Sequence, residues 1–176
     1  VAAGVFEAVL AVAPSSLVDF DRRLRALADF THAPECAALV AANKRVGNIL
    51  RKQGEAGVLP AKAIDKSLLR APSELTLALA LQIARDRIGR AVSNHDYREA
   101  LAIPSRVDLF QMAPAFFAPF DVTPAELPQC SLIGQMGSFF EQVMVVDDDP
   151  AIRANRLALL AEFQRVFNSI ADLARL

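Results

Sequence analysis

The sequence is poor in the residues that build metal sites and disulfide frameworks. Its 176 residues include two histidines, two cysteines and no tryptophan. Cys36 and Cys130 lie far apart and match neither a metal-binding nor a disulfide pattern, so we predict reduced thiols and a cytoplasmic protein. His32 and His95 have neither metal-ligand nor catalytic-triad spacing, which is typical of structural histidines.

Long hydrophobic runs are also lacking. The longest, Leu75–Ala84, is too short to span a bilayer and contains Thr76 and Gln82. The chain begins without methionine and without the basic start of a signal peptide. We therefore interpret it as a piece of a longer protein with no membrane partner. Its length suits a single domain, residues 1–176, with a real hydrophobic core.

Neither sign of charge is in excess. The chain has 19 lysines and arginines and 20 acidic residues, for a net charge of −1. This balance argues against a strongly basic nucleic-acid binder such as a DNA-binding protein. A local basic face remains possible, because the field at a surface follows the distribution of charge. Lys44, Arg45, Arg51 and Lys52 fall within nine positions that contain no acidic residue.

Strand patterns are nearly absent, and apolar residues recur at helical spacing instead. The sequence therefore predicts an all-α bundle of about six or seven helices. The predicted helices are a short one ending near Pro14, one capped by Ser15 or Ser16, one from Pro34 to Gly54, one from Ser73 to about Val92, one over 97–102, one over 138–146, and one from Pro150 to near Leu176. A single helical turn is predicted within 63–69.

Residues 103–137 interrupt the helical pattern. They contain half of the ten prolines, together with four phenylalanines. Each proline removes a backbone donor and disfavours a helix. We expect an irregular segment held on the surface by its aromatic residues, and disorder of part of it is the alternative.

The helix after Pro34 has two different faces, because a helix turns about 100° per residue. The apolar face consists of Leu39, Ala42, Val46, Ile49 and Leu50. Asn43 lies in the middle of it and is predicted to be buried and hydrogen-bonded, since an unsatisfied buried amide costs about 1–3 kcal/mol. The opposite face consists of Lys44, Asn48 and Arg51, flanked by Arg45 and Lys52.

This basic face has two interpretations. It is either a solvated side of the helix or a surface for phosphate, on which lysine and arginine contact the backbone and Asn48 contacts a base edge. A single-stranded RNA loop is the natural target for the second, with an aromatic side chain nearby for stacking.

The last helix also carries polar side chains at or near its core face. Arg156 projects from the centre of that face, and Asn155 lies at its edge. A buried guanidinium needs a partner, and the candidates are Glu141, Asp147, Asp148 and Asp149. A buried ion pair is the simpler interpretation of Arg156, with ligand contact as the alternative. Arg153, off the core face, is either a solvated charge or a further RNA contact.

Catalytic motifs are missing. The sequence has no phosphate-cradling glycine loop and no nucleophile-elbow serine. The acidic run 147–149 followed by Pro150 is a helix start signal, which explains it without a cation site. We therefore predict no catalytic residues, no metal and no cofactor in this segment.

Several segments, in order, resemble the C-terminal part of the bacterial glycyl-tRNA synthetase beta subunit. They are DFDRR (19–23), AANKRVGNIL (41–50), DYREAL (96–101), FFEQVMVV (139–146) with Asp148, RANRL (153–157) and IAD (170–172). Gly47 departs from the serine usual in that family, which suggests close helix packing or room for RNA backbone. The segment 103–137 is longer and richer in proline than the family's short helical link.

The resemblance implies a helical anticodon-binding domain of the DALR-like kind also found in arginyl-tRNA synthetases. It implies that ATP and glycine bind an alpha subunit, which performs the ligase chemistry of protein biosynthesis, while the beta subunit binds tRNA-Gly. Lys44, Arg45, Asn48, Arg51, Lys52 and Arg153 would then contact RNA. The alternative is a protein-interaction module that docks onto the rest of the synthetase through the apolar segment 103–137.

Overall fold

A computed structural model describes residues 2–106 and 131–176, and within these ranges the chain is all-α with no β-strand, as predicted. The α-helices are α1 (Ala3–Leu10), α2 (Leu17–Phe30), α3 (Cys36–Glu55), α4 (Pro72–Ser93), α5 (Tyr97–Ala102), α6 (Leu132–Gln142) and α7 (Pro150–Asn168). Single 3-10 turns occur at Lys66–Leu68, Ile103–Ser105 and Leu173–Arg175.

Local side-chain caps start several of these helices. The Ser16 hydroxyl accepts a hydrogen bond from the backbone N–H of Asp19 (3.1 Å), so Ser16 rather than Ser15 caps α2. Asp149 accepts from the backbone N–H groups of Ala151 (2.8 Å) and Ile152 (3.3 Å), with Pro150 at the first helical position. Such caps satisfy amide groups that have no partner within the helix.

The helix predicted over 138–146 is wrong at both ends. α6 begins at Leu132, with the Ser131 hydroxyl accepting from the Gly134 amide (3.0 Å), and the backbone is extended again at Val143. The prediction started the helix after Gly137, because glycine disfavours helices. This cost is only about 1 kcal/mol, and the burial of Leu132 and Phe139 offsets it. The remainder of the predicted irregular segment, 107–130, lies outside the described residues.

The last helix also ends earlier than predicted, at Asn168 rather than near Leu176. The chain then turns so that the Asp172 amide donates to the Ala8 carbonyl of α1 (2.9 Å). A Cβ on Gly4 would lie 2.9 Å from the Arg175 carbonyl oxygen, so this close approach of two backbones requires glycine.

The core lies around α4, which packs against α5, α6 and α7. Phe163 and Phe167 of α7 are fully buried with their rings 4.8 Å apart. α3 lies against α6 and α7, with Leu39 and Val46 fully buried. This packing turns one side of α3 towards the core and leaves the other side in solvent.

A buried polar cluster joins α2, α5 and the end of α7. The carboxylate of Asp19 accepts hydrogen bonds from the Tyr97 hydroxyl and from Arg23 Nε (3.0 Å). Arg23 also donates to the carbonyls of Ser169 and Ile170 (both 2.7 Å). Burial, followed by the hydrogen bond to Asp19, raises the pKa of Tyr97, so its hydroxyl stays protonated and donates.

Stability is expected to fall in acid as Asp19 becomes protonated. Burial raises the pKa of Asp19, but hydrogen bonds from Tyr97 and Arg23 and the Arg23 charge outweigh it, so the folded-state pKa lies below its ordinary value. Ionised Asp19 therefore stabilises the fold above the unfolded-state pKa of about 3.9, and this contribution is lost as pH falls through the lower folded-state pKa.

Urea denaturation between pH 6 and pH 3 measures this effect. Asp19→Asn should lower stability at pH 6 and show a weaker fall in acid than the wild type. An equal acid dependence in the two proteins would show that other carboxylates cause it.

Candidate nucleic-acid interface

The two asparagines of α3 lie on opposite sides of the helix. Asn43 is 3% exposed, and its Nδ2 donates to the Leu39 carbonyl (2.9 Å), which agrees with the predicted buried amide. Asn48 is exposed. The burial of one and the exposure of the other follow from a difference of five positions, which rotates the side chain by about 140° around the helix.

Asn48 lies at the centre of the polar face. The four cations Lys44, Arg45, Arg51 and Lys52 stand at the i−4, i−3, i+3 and i+4 positions relative to it, and all are exposed. Residues at these spacings are neighbours on a helix surface, with Cβ atoms about 5–6 Å apart. Four positive groups therefore surround one amide that can both donate and accept.

The five side chains differ in whether they already have a partner within the protein. Within the described ranges, no hydrogen bond or ion pair involves the side chains of Lys44, Asn48 or Lys52. Arg51 pairs with Glu55 one turn later (2.6 Å), and both side chains are more than half exposed. Glu55 lies three residues after Lys52, the last cation of the basic segment. Such an exposed pair contributes little energy and can open for a ligand.

Arg45 packs on an aromatic ring, a contact that the sequence did not predict. Its guanidinium carbon lies 3.9 Å from the ring centroid of Phe140 in α6. Phe140 in turn meets Phe139 edge to face, with ring centroids 5.7 Å apart. Phe140 is thus an aromatic side chain next to the basic face, as the RNA interpretation of that face expected.

Arg156 is 8% exposed and lies at the centre of a buried ion-pair network. Its Nε donates to Glu74 Oε1 (2.6 Å), and its Nη1 donates to Asp147 Oδ2 (2.6 Å) and to the Met144 carbonyl (2.9 Å). Asp147 was among the predicted partners, whereas Glu74 was missed. The backbone N–H of Asp149, and then Arg156, hold the pKa of Asp147 below its ordinary value.

Glu74 completes this network from the start of α4. It is fully buried, and its second carboxylate oxygen accepts from the backbone N–H groups of Arg70 and Ala71 (both 2.6 Å). The sequence indicated only an acidic residue in the first turn of α4. Its pairing with Arg156, 82 residues later, has no local signal.

Asn155 joins α7 to the connector before α4. It is 1% exposed, its Oδ1 accepts from the Asp65 amide (2.7 Å), and its Nδ2 donates to the Asp65 carbonyl (2.9 Å). Arg153 is partly buried, and its Nε has no hydrogen-bond partner in the described part of the chain. The described hydrogen bonds and ion pairs do not join Arg153 to α3.

Other kinds of site find no support in the described residues. No group of three histidine, cysteine or acidic side chains there could hold a metal ion. None of the helices in those ranges has the length and hydropathy needed to cross a membrane.

Gly47 lies on α3 between the two faces. A Cβ at this position would meet Gln164 Nε2 of α7 at 3.5 Å, an ordinary van der Waals distance, so close helix packing does not require the glycine. Gly47→Ala is therefore expected to stabilise the fold by about 0.5–1 kcal/mol through helix propensity. A urea titration measures this change. A lower unfolding midpoint would show that Gln164 cannot adjust.

Curated relatives match the chain over its full length, while no family model matches it. It is 41% identical over 177 aligned residues to the glycine–tRNA ligase beta subunit of Xanthomonas campestris, covering 100% of this chain and 21% of that protein. For the beta subunits of Nitrosomonas europaea and Coxiella burnetii the identities are 42% and 39%, covering 97% and 100% of this chain and 20% and 22% of theirs. The chain is thus similar to one segment of bacterial glycine–tRNA ligase beta subunits, and it spans about a fifth of the length of these relatives.

Proposed function

We propose that the chain binds the anticodon arm of tRNA-Gly as one domain of a glycine–tRNA ligase beta subunit, and so supports ATP-dependent glycylation of that tRNA. The observation that carries the proposal is the exposed ring of four cations around Asn48 on α3. The similarity of nearly the whole chain to one segment of glycine–tRNA ligase beta subunits supports tRNA as the nucleic acid.

The chemistry of this face suits an unpaired loop of RNA. Lysine and arginine contact phosphates and position the strand, and they carry no sequence information by themselves. An asparagine amide can make two hydrogen bonds to one base edge. In a loop, unlike a duplex, the Watson–Crick edges are open to such a side chain. Arg153 is proposed as an additional contact from α7.

In this proposal, other parts of the synthetase carry out the remaining steps of the reaction. ATP and glycine bind the alpha subunit, this chain holds no cofactor, and its protein partners are the alpha subunit and the rest of the beta subunit in the cytoplasm. The helical bundle would be of the DALR-like, anticodon-binding kind. Asn43, Asn155 and Arg156 hold the bundle together through buried hydrogen bonds and would not touch RNA.

Footprinting of tRNA-Gly by the complete synthetase tests the proposal. With this domain present, nucleases should be excluded from the anticodon loop. Deleting the domain should restore cleavage there while leaving protection of the acceptor stem unchanged. Unchanged protection of the anticodon loop after the deletion would contradict the proposal.

A second candidate function is docking onto the rest of the synthetase without RNA contact. It is favoured by apolar side chains at the corner between α1 and α2, where Leu17 is 88% exposed, Val18 62%, Leu10 55% and Phe6 47%. The surface first suggested for this role, 103–137, falls mainly outside the described residues. If docking is the function, Leu17→Ser plus Val18→Ser should weaken assembly in gel filtration. The same variant should leave the nuclease protection of the tRNA-Gly anticodon loop unchanged.

A further inference from the structure

The contact between Arg45 and Phe140 places a guanidinium group over an aromatic ring. The Cζ atom of Arg45 lies over the ring, 3.9 Å from its centroid. This is close to the optimal separation of two carbon atoms, roughly 3.5–4.0 Å, and is too short for an N–H to point end-on into the ring. The distance therefore fits a guanidinium plane stacked on the aromatic face.

The layer beneath Arg45 is fixed by the core. Phe140 packs against Phe139 at an interplanar angle of 62°, and Phe139 is fully buried. The ring thus has a rigid neighbour, and its cation–π contact with Arg45 favours this arrangement of the arginine before any ligand arrives. This ordering lowers the entropic cost of binding.

Among the described residues, only the Phe140 ring is recorded as a partner of the Arg45 guanidinium. Arg45 is exposed, and no carboxylate in the described ranges pairs with it, in contrast to Arg51, which pairs with Glu55. Arginine stacks on aromatic faces through one side of its plane, and RNA bases stack on the guanidinium plane itself.

We propose that Phe140 and Arg45 form a two-layer platform on which one unpaired RNA base stacks; this inference rests on the proposed function. Arg45 then acts as a stacking surface rather than as a phosphate contact. Asn48, one turn later on the same face, is placed to hydrogen-bond the edge of that base, and Lys44 is placed to contact its phosphate. The ligand class is a single-stranded loop with at least one unstacked base.

The test uses the full-length protein and an anticodon stem-loop of tRNA-Gly with 2-aminopurine at each unpaired position in turn. Stacking on the platform should change the fluorescence of one position. Arg45→Lys keeps the charge but removes the plane, and Phe140→Leu removes the ring. Each should abolish that change and weaken binding about 5–20-fold, within the range for one stacked base, with the salt dependence of affinity unaltered.

Two further variants serve as controls. Phe140→Tyr keeps the ring and should retain the signal and the affinity. Lys44→Gln should lower the slope of log affinity against log salt by about 0.7 and retain the fluorescence change. Arg45→Lys is an exposed helical substitution, so its result does not depend on folding even if Phe140→Leu is unstable.

The outcomes separate the platform from the function on which it rests. If the wild type binds the stem-loop, and Arg45→Lys and Phe140→Leu bind it equally well with the same fluorescence, the platform is overturned and the proposed function stands. If the wild type does not bind the stem-loop, both are overturned.

Discussion

Replacing Lys44, Asn48 and Lys52 together with alanine is expected to weaken tRNA binding about 100-fold. The two lysines account for phosphate contacts, each worth about 0.7 in the slope of log affinity against log salt for a single strand. Asn48 accounts for one base-edge contact, worth roughly 1–3 kcal/mol. These three residues are chosen because none has a partner in the described part of the chain, so their removal breaks no internal contact.

Filter binding at rising salt separates the two contributions. Lys44→Ala plus Lys52→Ala should lower the slope by about 1.4, whereas Asn48→Ala should weaken binding with the slope unchanged. Alanine is a better helix former than lysine or asparagine, so loss of folding is not an alternative explanation.

A matched control removes the same charge elsewhere. Arg22 in α2 and Arg90 in α4 are exposed cations without a described carboxylate partner. Arg22→Ala plus Arg90→Ala should therefore change affinity less than threefold, an order-of-magnitude allowance for long-range electrostatics. If the control pair weakened binding as much as Lys44→Ala plus Lys52→Ala, the charge of the whole domain, and not the α3 face, would carry the binding.

Glu74→Ala is expected to destabilise the fold by about 3–5 kcal/mol, the usual cost of removing one partner from a buried ion pair. The substitution leaves Arg156 Nε and two backbone N–H groups, those of Arg70 and Ala71, without their acceptor. It also breaks the link between the start of α4 and the middle of the bundle. Because whole domains are stable by only about 5–15 kcal/mol, the loss should be obvious in urea denaturation.

The double variant Glu74→Leu plus Arg156→Met tests the cause. Replacing both charges with apolar side chains removes the buried guanidinium, which in Glu74→Ala keeps only the partly exposed Asp147 as a carboxylate partner, so this variant should be more stable than Glu74→Ala. If the double variant were no more stable than Glu74→Ala, the buried charge of Arg156 would not be the main cause of the loss, since both variants lose the hydrogen bonds from the Arg70 and Ala71 backbone N–H groups. Binding of tRNA by the folded fraction should stay unchanged, since neither residue lies on the α3 face.

The part of the site that sequence predicted well is the part set by one helix. The rotation between positions 43 and 48 is a property of α-helical geometry, so Asn43 could be assigned to the core and Asn48 to solvent without knowing any neighbour. The helix starts at Ser15 or Ser16 and at Asp149 were predictable for the same reason, because a cap bonds to amides two or three residues away.

The sequence by itself thus determined the helical class, most helix starts and the two faces of α3, all of which depend on interactions within a few residues. Only the tertiary structure decided that Glu74 neutralises Arg156 and that Arg45 lies on Phe140, because each pair joins distant helices whose relative position follows from packing of the whole core. The early start of α6 belongs to the second group, since burial against α4 outweighed the weak helix propensity of its glycines.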